Sequence, residues 1–159
     1  MEKNKYPIIP IIINPRFNIK VYRKNKETSF PTKIYPYDAA YDVSSPSIHI
    51  IRPSGFCSIS LGLHFEFPSD YVMLIQSRSG MSHKDGIFTI GNIIDSTYRG
   101  NVHVCLVNIS NKLYHINQGD RIAQILFLKL CPYPLVEVDS LKDLTISQRQ
   151  EMGMGSSGK

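Results

Sequence analysis

The chain has 159 residues, with 42% hydrophobic and 10% aromatic content, ten Gly, ten Pro and no Trp. That length suits one domain with a single core, and a charged fraction of 19% excludes a chain disordered throughout. The net charge of +5 first points to a polyanion partner, but it is uneven: residues 1–35 carry eight basic and two acidic side chains, a net of +6, and the remainder sits at −1.

In chain order, residues 1–16 alternate basic and apolar stretches around Pro7, Pro10 and Pro15 and read as an extended arm. The apolar run Pro7–Ile13 contains Pro10 and is far short of the ~18–20 residues a membrane span needs. No charged start, apolar stretch and cleavage site follow one another, so a soluble intracellular protein is expected. The clearest pattern is Cys57–Phe67, where apolar and polar residues alternate; this predicts one half-buried strand, or two meeting at Gly62. Similar runs predict strands at Ser47–Ile51, Tyr71–Gln76, Val102–Ile109, Ile122–Leu130 and Leu135–Val138. Turn clusters separate them at 53–55, 68–70, 117–120 and 132–134. Helical periodicity is nearly absent. Many short strands at regular spacing imply an all-β sandwich or barrel. The tail Gly153–Lys159 has the composition of a flexible end.

Cys57, Cys105 and Cys131 are an odd, widely spaced set that forms neither a disulfide framework nor a zinc spacing. Buried thiols in a reducing compartment are expected. The five histidines show no ligand spacing and read as strand or surface residues.

Three polar segments carry chemistry. Ser77-Arg78-Ser79-Gly80 follows a predicted strand; a guanidinium, a hydroxyl and a Gly in succession make a phosphate cradle or an ordinary polar turn. Gly91–Gly100 leads Ile93 and Ile94 into Asp95, with Tyr98 three residues on: a carboxylate able to take a proton from water beside a ring able to pack on a sugar, or a turn Asp with a core Tyr. In Gly119–Gln124 a turn enters a strand, and Gln124 interrupts an apolar run, so its amide faces solvent or has a buried partner.

The order of these segments is more specific than any one of them. Ala39–Val43, Arg78–Met81, Ile94–Gly100, Gly119–Gln124, then Arg149 followed by Gly153–Gly158, resemble the five ordered motifs of the homotrimeric deoxyuridine triphosphatases, the dUTPases, over roughly residues 17–158. The resemblance implies a jelly-roll-like β-barrel (β-clip) assembled as a homotrimer, each site shared among subunits. It implies hydrolysis of dUTP to dUMP and pyrophosphate with Mg²⁺, which limits uracil in DNA and supplies dUMP for thymidylate synthesis. It divides the chain into a basic arm (1–16), the barrel domain (17–146) and a mobile C-terminal lid motif (147–159).

Residue by residue, the resemblance makes Asp95 the carboxylate that orients and deprotonates water. Arg78, Ser79, Gly80 and Gln124 surround the phosphates, and Asp42 stands near a hydrated metal ion, reached through water. Tyr98 packs under deoxyribose and excludes a 2′-hydroxyl. Uracil lies in a hairpin from Gly91 to His103, including Asn92, Ile93 and Ile94, and pairs mainly with backbone groups. Arg149, Met154, Gly155, Ser156 and Ser157 match the motif that closes over the γ-phosphate.

The chain departs from the family pattern at several positions. Asp85 replaces a common His, Thr97 a common acidic residue and Asn92 a common Gly, and His103 stands where a small residue is usual. In the tail, Gln150 and Met152 replace glycines and Met154 replaces the Phe that caps uracil. A weaker lid follows, with raised KM or lowered kcat. The competing readings are a non-catalytic or moonlighting binding protein on the same fold, motivated by the altered tail and basic arm, and a dCTP deaminase-like enzyme, against which the Ile94-Asp95 to Tyr98 spacing speaks. No stable nucleic-acid partner and no membrane association are expected. A cytoplasmic or nuclear location is, and richness in Ile, Lys and Asn hints at an AT-rich genome, virus-encoded or cellular.

Overall fold

A computed structural model describes residues 18–147. The basic arm, Arg149, Met154, Gly155, Ser156 and Ser157 lie outside the described residues. Eleven strands account for nearly all the regular structure described: β1 (Lys20–Arg23), β2 (Tyr41–Ser44), β3 (His49–Ile51), β4 (Phe56–Ser60), β5 (Leu63–Glu66), β6 (Tyr71–Gln76), β7 (Ile87–Ile90), β8 (Ile93–Asp95), β9 (His103–Asn108), β10 (Tyr114–Ile116) and β11 (Arg121–Lys129). The predicted Cys57–Phe67 run resolves into β4 and β5, which meet at Leu61 and Gly62. The all-β expectation holds, and the architecture is a jelly-roll-like barrel.

All pairings are antiparallel. The largest sheet has the order β2-β11-β6-β8, a second the order β4-β9-β7, and two ladders, β1-β5 and β10-β3, complete the walls. Alternation explains the arrangement: each strand sends every second side chain inward, and those side chains form one core. Ile59, Met73, Val104 and Ala123 are fully enclosed, and Ile51, Leu61, Leu63, Ile75, Leu106, Ile116, Ile122 and Ile125 nearly so.

Two expectations fail. Leu135–Val138 is no strand: it is irregular backbone, and Leu135 and Val136 are largely exposed, because the alternation there has no partner strand among the described residues to satisfy its backbone. The cysteines are not buried; Cys57 and Cys105 are half-buried and Cys131 is exposed, all as free thiols. Burial and, secondarily, Cys105 push the Cys57 thiol pKa up. The sequence also gave no sign of a single π-helical turn at Met81–Asp85, which is shorter than two helical periods.

Candidate active site

Three strand ends converge on one cavity of about 650 Å³ at an end of the large sheet. β2 brings Asp42, β6 ends at Gln76 and hands the chain to Ser77-Arg78-Ser79-Gly80, and β11 brings Arg121 and Gln124; all of these line the cavity, joined by Ile34, Tyr35, Asp38 and Ala39. Gln124 stands opposite both Asp42 and Gln76 in the ladder, so the row is set by sheet register. A β-bulge between Arg121 and Ala123 breaks the two-residue period of β11. Ile122 and Ala123 are consequently both buried, and Arg121 and Gln124, three residues apart, both reach the cavity. This explains why Gln124 interrupts an apolar run.

The cavity wall is cross-braced. Asp42, with a side chain only 14% exposed, takes Arg78 Nε on Oδ1 at 3.0 Å and Arg121 Nη1 on Oδ2 at 2.8 Å. Arg78 Nη1 also donates to the Arg121 carbonyl at 3.2 Å. The Asp42 backbone is fixed by a two-way bridge to Thr32, with N···O distances of 2.7 and 3.1 Å. Gln124 Nε2 donates to the Ser77 carbonyl at 2.9 Å, and Ser77 Oγ accepts the Thr89 amide at 2.8 Å. Arg78 therefore keeps guanidinium N–H groups beyond those used by Asp42 and Arg121. Behind the cradle, Ser82 and His83 in the π-helical turn donate to the Arg78 and Ser79 carbonyls. Gly80, with φ −61° and ψ −44°, has an ordinary right-handed backbone, and a Cβ added there would meet nothing within 4 Å. What its missing side chain provides is open space.

On the far side of Arg78 and Arg121 lies a second cavity of about 510 Å³, lined by Lys84, Asp85, Tyr114, Gly119 and Asp120 among others. Burial first, then the charges of Asp85 and Asp120, raise the Tyr114 hydroxyl pKa above its ordinary value, and Arg78 works in the opposite direction.

The segment Gly91–His103 is built differently. It leaves β7 at Gly91, whose φ is +67°, pairs β8 with β6, and returns into β9, which pairs with β4 and β7. It is a strap between two sheets; the expected hairpin, with its arms paired to each other, does not form, because each arm finds a different neighbour. Ile94 packs on the core and Ile93 is exposed. Asp95 is exposed, and its carboxylate has no hydrogen bond or ion pair among the described residues. Tyr98 lies over Gly100, where any Cβ would overlap the ring, and its hydroxyl donates to the Asn101 carbonyl at 2.9 Å. His103 Nδ1 donates to the same carbonyl at 3.0 Å. Asn92 Oδ1 and Asn101 Oδ1 are buried acceptors without a partner among the described residues.

The two sets do not meet within one chain. Asp95 stands opposite Val72 near the start of β6, four residues from Gln76, or about 13 Å of extended strand, before Arg78 is reached. Of the residues singled out from the sequence, Asp42, Arg78, Ser79, Gly80 and Gln124 line this one cavity. Ser77, named in the cradle segment but given no role of its own, lines the cavity too, and Arg121 was given no role; its signal was present in its place just before the buried pair Ile122-Ala123.

The dUTPase family model matches residues 26–158. A deoxyuridine 5′-triphosphate nucleotidohydrolase of Fowlpox virus is 34% identical over 140 residues, 88% of this chain and 97% of the relative. The Candida albicans protein of the same name is 35% identical over 142 residues, 89% of each. The chain belongs to the dUTPase family. Its fold agrees: a Staphylococcus bacteriophage 80alpha dUTPase solved with dUPNHPP superposes with a TM-score of 0.80 at 26% identity, covering 89% of this chain and 99% of that one. Among the described residues, no helix is long and apolar enough to cross a membrane.

As to a metal ion, no group of three or more His, Cys, Asp or Glu side chains among the described residues is placed to hold one. The donors present, Asp42 with both oxygens on guanidiniums and Asp38 accepting the Tyr35 amide, fit a hydrated Mg²⁺ carried in on phosphate oxygens better than a protein-caged ion.

Proposed function

We propose that this chain hydrolyses dUTP to dUMP and pyrophosphate, with the triphosphate in the Asp42–Arg78–Gln124 cavity and with Asp95 as the base that takes a proton from the attacking water. The observation that carries the reading is the cradle itself: two guanidiniums braced by one half-buried carboxylate, beside an open glycine, on a dUTPase fold. Phosphoryl chemistry asks for positioning and charge neutralisation more than covalent help, and a cradle fixed before substrate arrives supplies both. Arg78 and Ser79 hold phosphate oxygens, Gly80 admits them close to the backbone, and Gln124 holds the Ser77 carbonyl so that the cradle keeps its shape. Bound Mg²⁺ would add charge neutralisation across the triphosphate, with Asp42 facing its hydration shell.

The active site is completed by other copies of the chain. Asp95, at the end of β8, stands beside the opposite half of β6 and Tyr98 follows it in the strap, so one chain offers a cradle to one nucleotide and a carboxylate to another; the homotrimer with shared sites that the family resemblance implies would bring the two together. The exposed apolar residues Leu135, Val136 and Ile146 supply surface for such an assembly. Gly91, Asn92, Ile93, Ile94 and His103 bound the base, and Tyr98 the sugar. Arg149, Met154, Gly155, Ser156 and Ser157 are assigned to the γ-phosphate on resemblance alone, as a lid motif after the barrel, and the basic arm lies outside the reaction. The protein works on the nucleotide pool of cytoplasm or nucleus.

The test is pyrophosphate release from dUTP with Mg²⁺, in parallel with dCTP, dTTP and UTP. Selective dUTP turnover is expected, and Asp95→Asn lowers kcat by about 10²–10⁴-fold with little change in melting temperature, since the carboxylate is exposed. Equal, slow release by wild type and variant would sink the enzyme reading in favour of a binding role.

A further inference from the structure

The strap that carries Asp95 and Tyr98 is held almost entirely through its own carbonyls. The Asp95 carbonyl accepts the Tyr98 amide at 3.1 Å, those of Ser96 and Tyr98 accept Arg99 Nη1, and that of Asn101 accepts Tyr98 Oη and His103 Nδ1. The base of the strap is fixed by backbone bonds of Val102 to Leu61 and Leu63, each 2.9 Å. Its tip has one anchor of a different kind. His64, on β5 and 35 residues away in sequence, sends Nδ1 to the Arg99 carbonyl at 2.9 Å. Among the described residues it is the only side chain from beyond the segment 95–103 that donates to a carbonyl of residues 95–101; the strap's other side-chain tie to a distant strand runs outward, Asn101 Nδ2 donating to Ser60 Oγ on β4.

The geometry at this contact is determined. A carbonyl only accepts, so Nδ1 carries the proton, and the neutral ring suffices for the bond. The ring is braced from behind by Tyr22, directly opposite it in the β1-β5 ladder, with ring centroids 5.5 Å apart. Arg99 follows Tyr98 directly, and its guanidinium binds the Ser96 and Tyr98 carbonyls, so fixing the Arg99 backbone fixes the peptide from which the Tyr98 ring projects. Gly100, on the other side, gives that ring its resting place.

We propose that His64 is a positioning residue for the reaction: its hydrogen bond to the Arg99 carbonyl sets the angle at which Tyr98 presents its ring to the sugar, and with it part of the discrimination of deoxyribose from ribose. This rests on the reading of Tyr98 as the sugar-contacting ring. Steric exclusion of one hydroxyl depends on where a ring sits to within a fraction of an ångström, so a loosened strap costs discrimination before it costs turnover.

The experiment uses the full chain as wild type, His64→Ala and His64→Asn, the last keeping an N–H donor close to the place of Nδ1. Steady-state kcat and KM are measured with dUTP and UTP, and amide hydrogen exchange is followed over residues 95–101 without nucleotide. His64→Ala is expected to lower the dUTP-to-UTP ratio of kcat/KM by about three- to tenfold, the value of one hydrogen bond, and to speed exchange in the strap. His64→Asn is expected to keep the ratio within about twofold of wild type. If wild type discriminates and His64→Ala discriminates equally well, or Asn fails as badly as Ala, the proposal is wrong while the functional reading stands. If wild type itself turns over UTP as fast as dUTP, the reading of Tyr98 fails and takes the proposal with it.

Discussion

The phosphate side and the nucleoside side of this protein solve recognition in opposite ways. The phosphate side is a half-buried network of charged side chains: Asp42 between Arg78 and Arg121, on three adjacent strand ends. The nucleoside side is an exposed strap whose shape comes from bonds to its own carbonyls, with Asp95 unencumbered. A triphosphate is the same for every nucleotide, so its site needs strong, preformed charge and little selectivity. A base and sugar differ by single groups, so their site needs an accurate surface, which backbone atoms fixed at both ends provide.

The contrast breaks most visibly at Asp42. Replacing it with Ala leaves two guanidiniums side by side with no carboxylate between them; stability should fall by about 1–3 kcal/mol and kcat/KM by about ten- to a hundredfold. Thermal melting and dUTP kinetics read both. A melting temperature unchanged from wild type would mean that the bracing contributes nothing. Gly80→Ala separates the two quantities. Its backbone angles suit Ala and the site of the new methyl is empty, so melting should hold or rise slightly while KM for dUTP climbs by about tenfold. A normal KM would place the phosphates elsewhere. The smallest effect lies behind the cradle. Because the Tyr114 pKa is raised in the folded protein, the unfolded chain ionises first; the stabilisation is complete below about pH 10 and is lost as pH rises above it. Tyr114→Phe should flatten that alkaline loss in pH-dependent melting, and identical curves would remove Tyr114 from the account.

These same two regions differ in how far the sequence betrays them. β6 was legible to its ends, Tyr71 and Gln76, because turn residues close both sides of a long apolar run. Asp42, Arg78 and Gln124 were legible as motif residues, although the bulge that lets Arg121 join them is a backbone event that no residue type announces. The strap misled: its arms look like a hairpin, and only the competition among neighbouring edges decides that β8 goes to β6 and β9 to β4 and β7. Leu135–Val138 misled in the other direction, since alternation records that a segment could be a strand and says nothing about whether an edge is available to it. His64 was read as an ordinary strand residue because its partner is a carbonyl, and carbonyls carry no sequence signature.

β6 is laddered to β11 at all six of its residues, and the same length also sets a distance. Its early residue Val72 sits across from Asp95, and its last residue passes the chain to the cradle. Two residues inserted between them would preserve the pleat and every inward-facing side chain, so the barrel would still close. They would also push carboxylate and cradle about 7 Å further apart, and a symmetric assembly would repeat that error at every site it contains. The strand behaves as a gauge block, and natural variation in this fold should be freer in the identity of its residues than in their number.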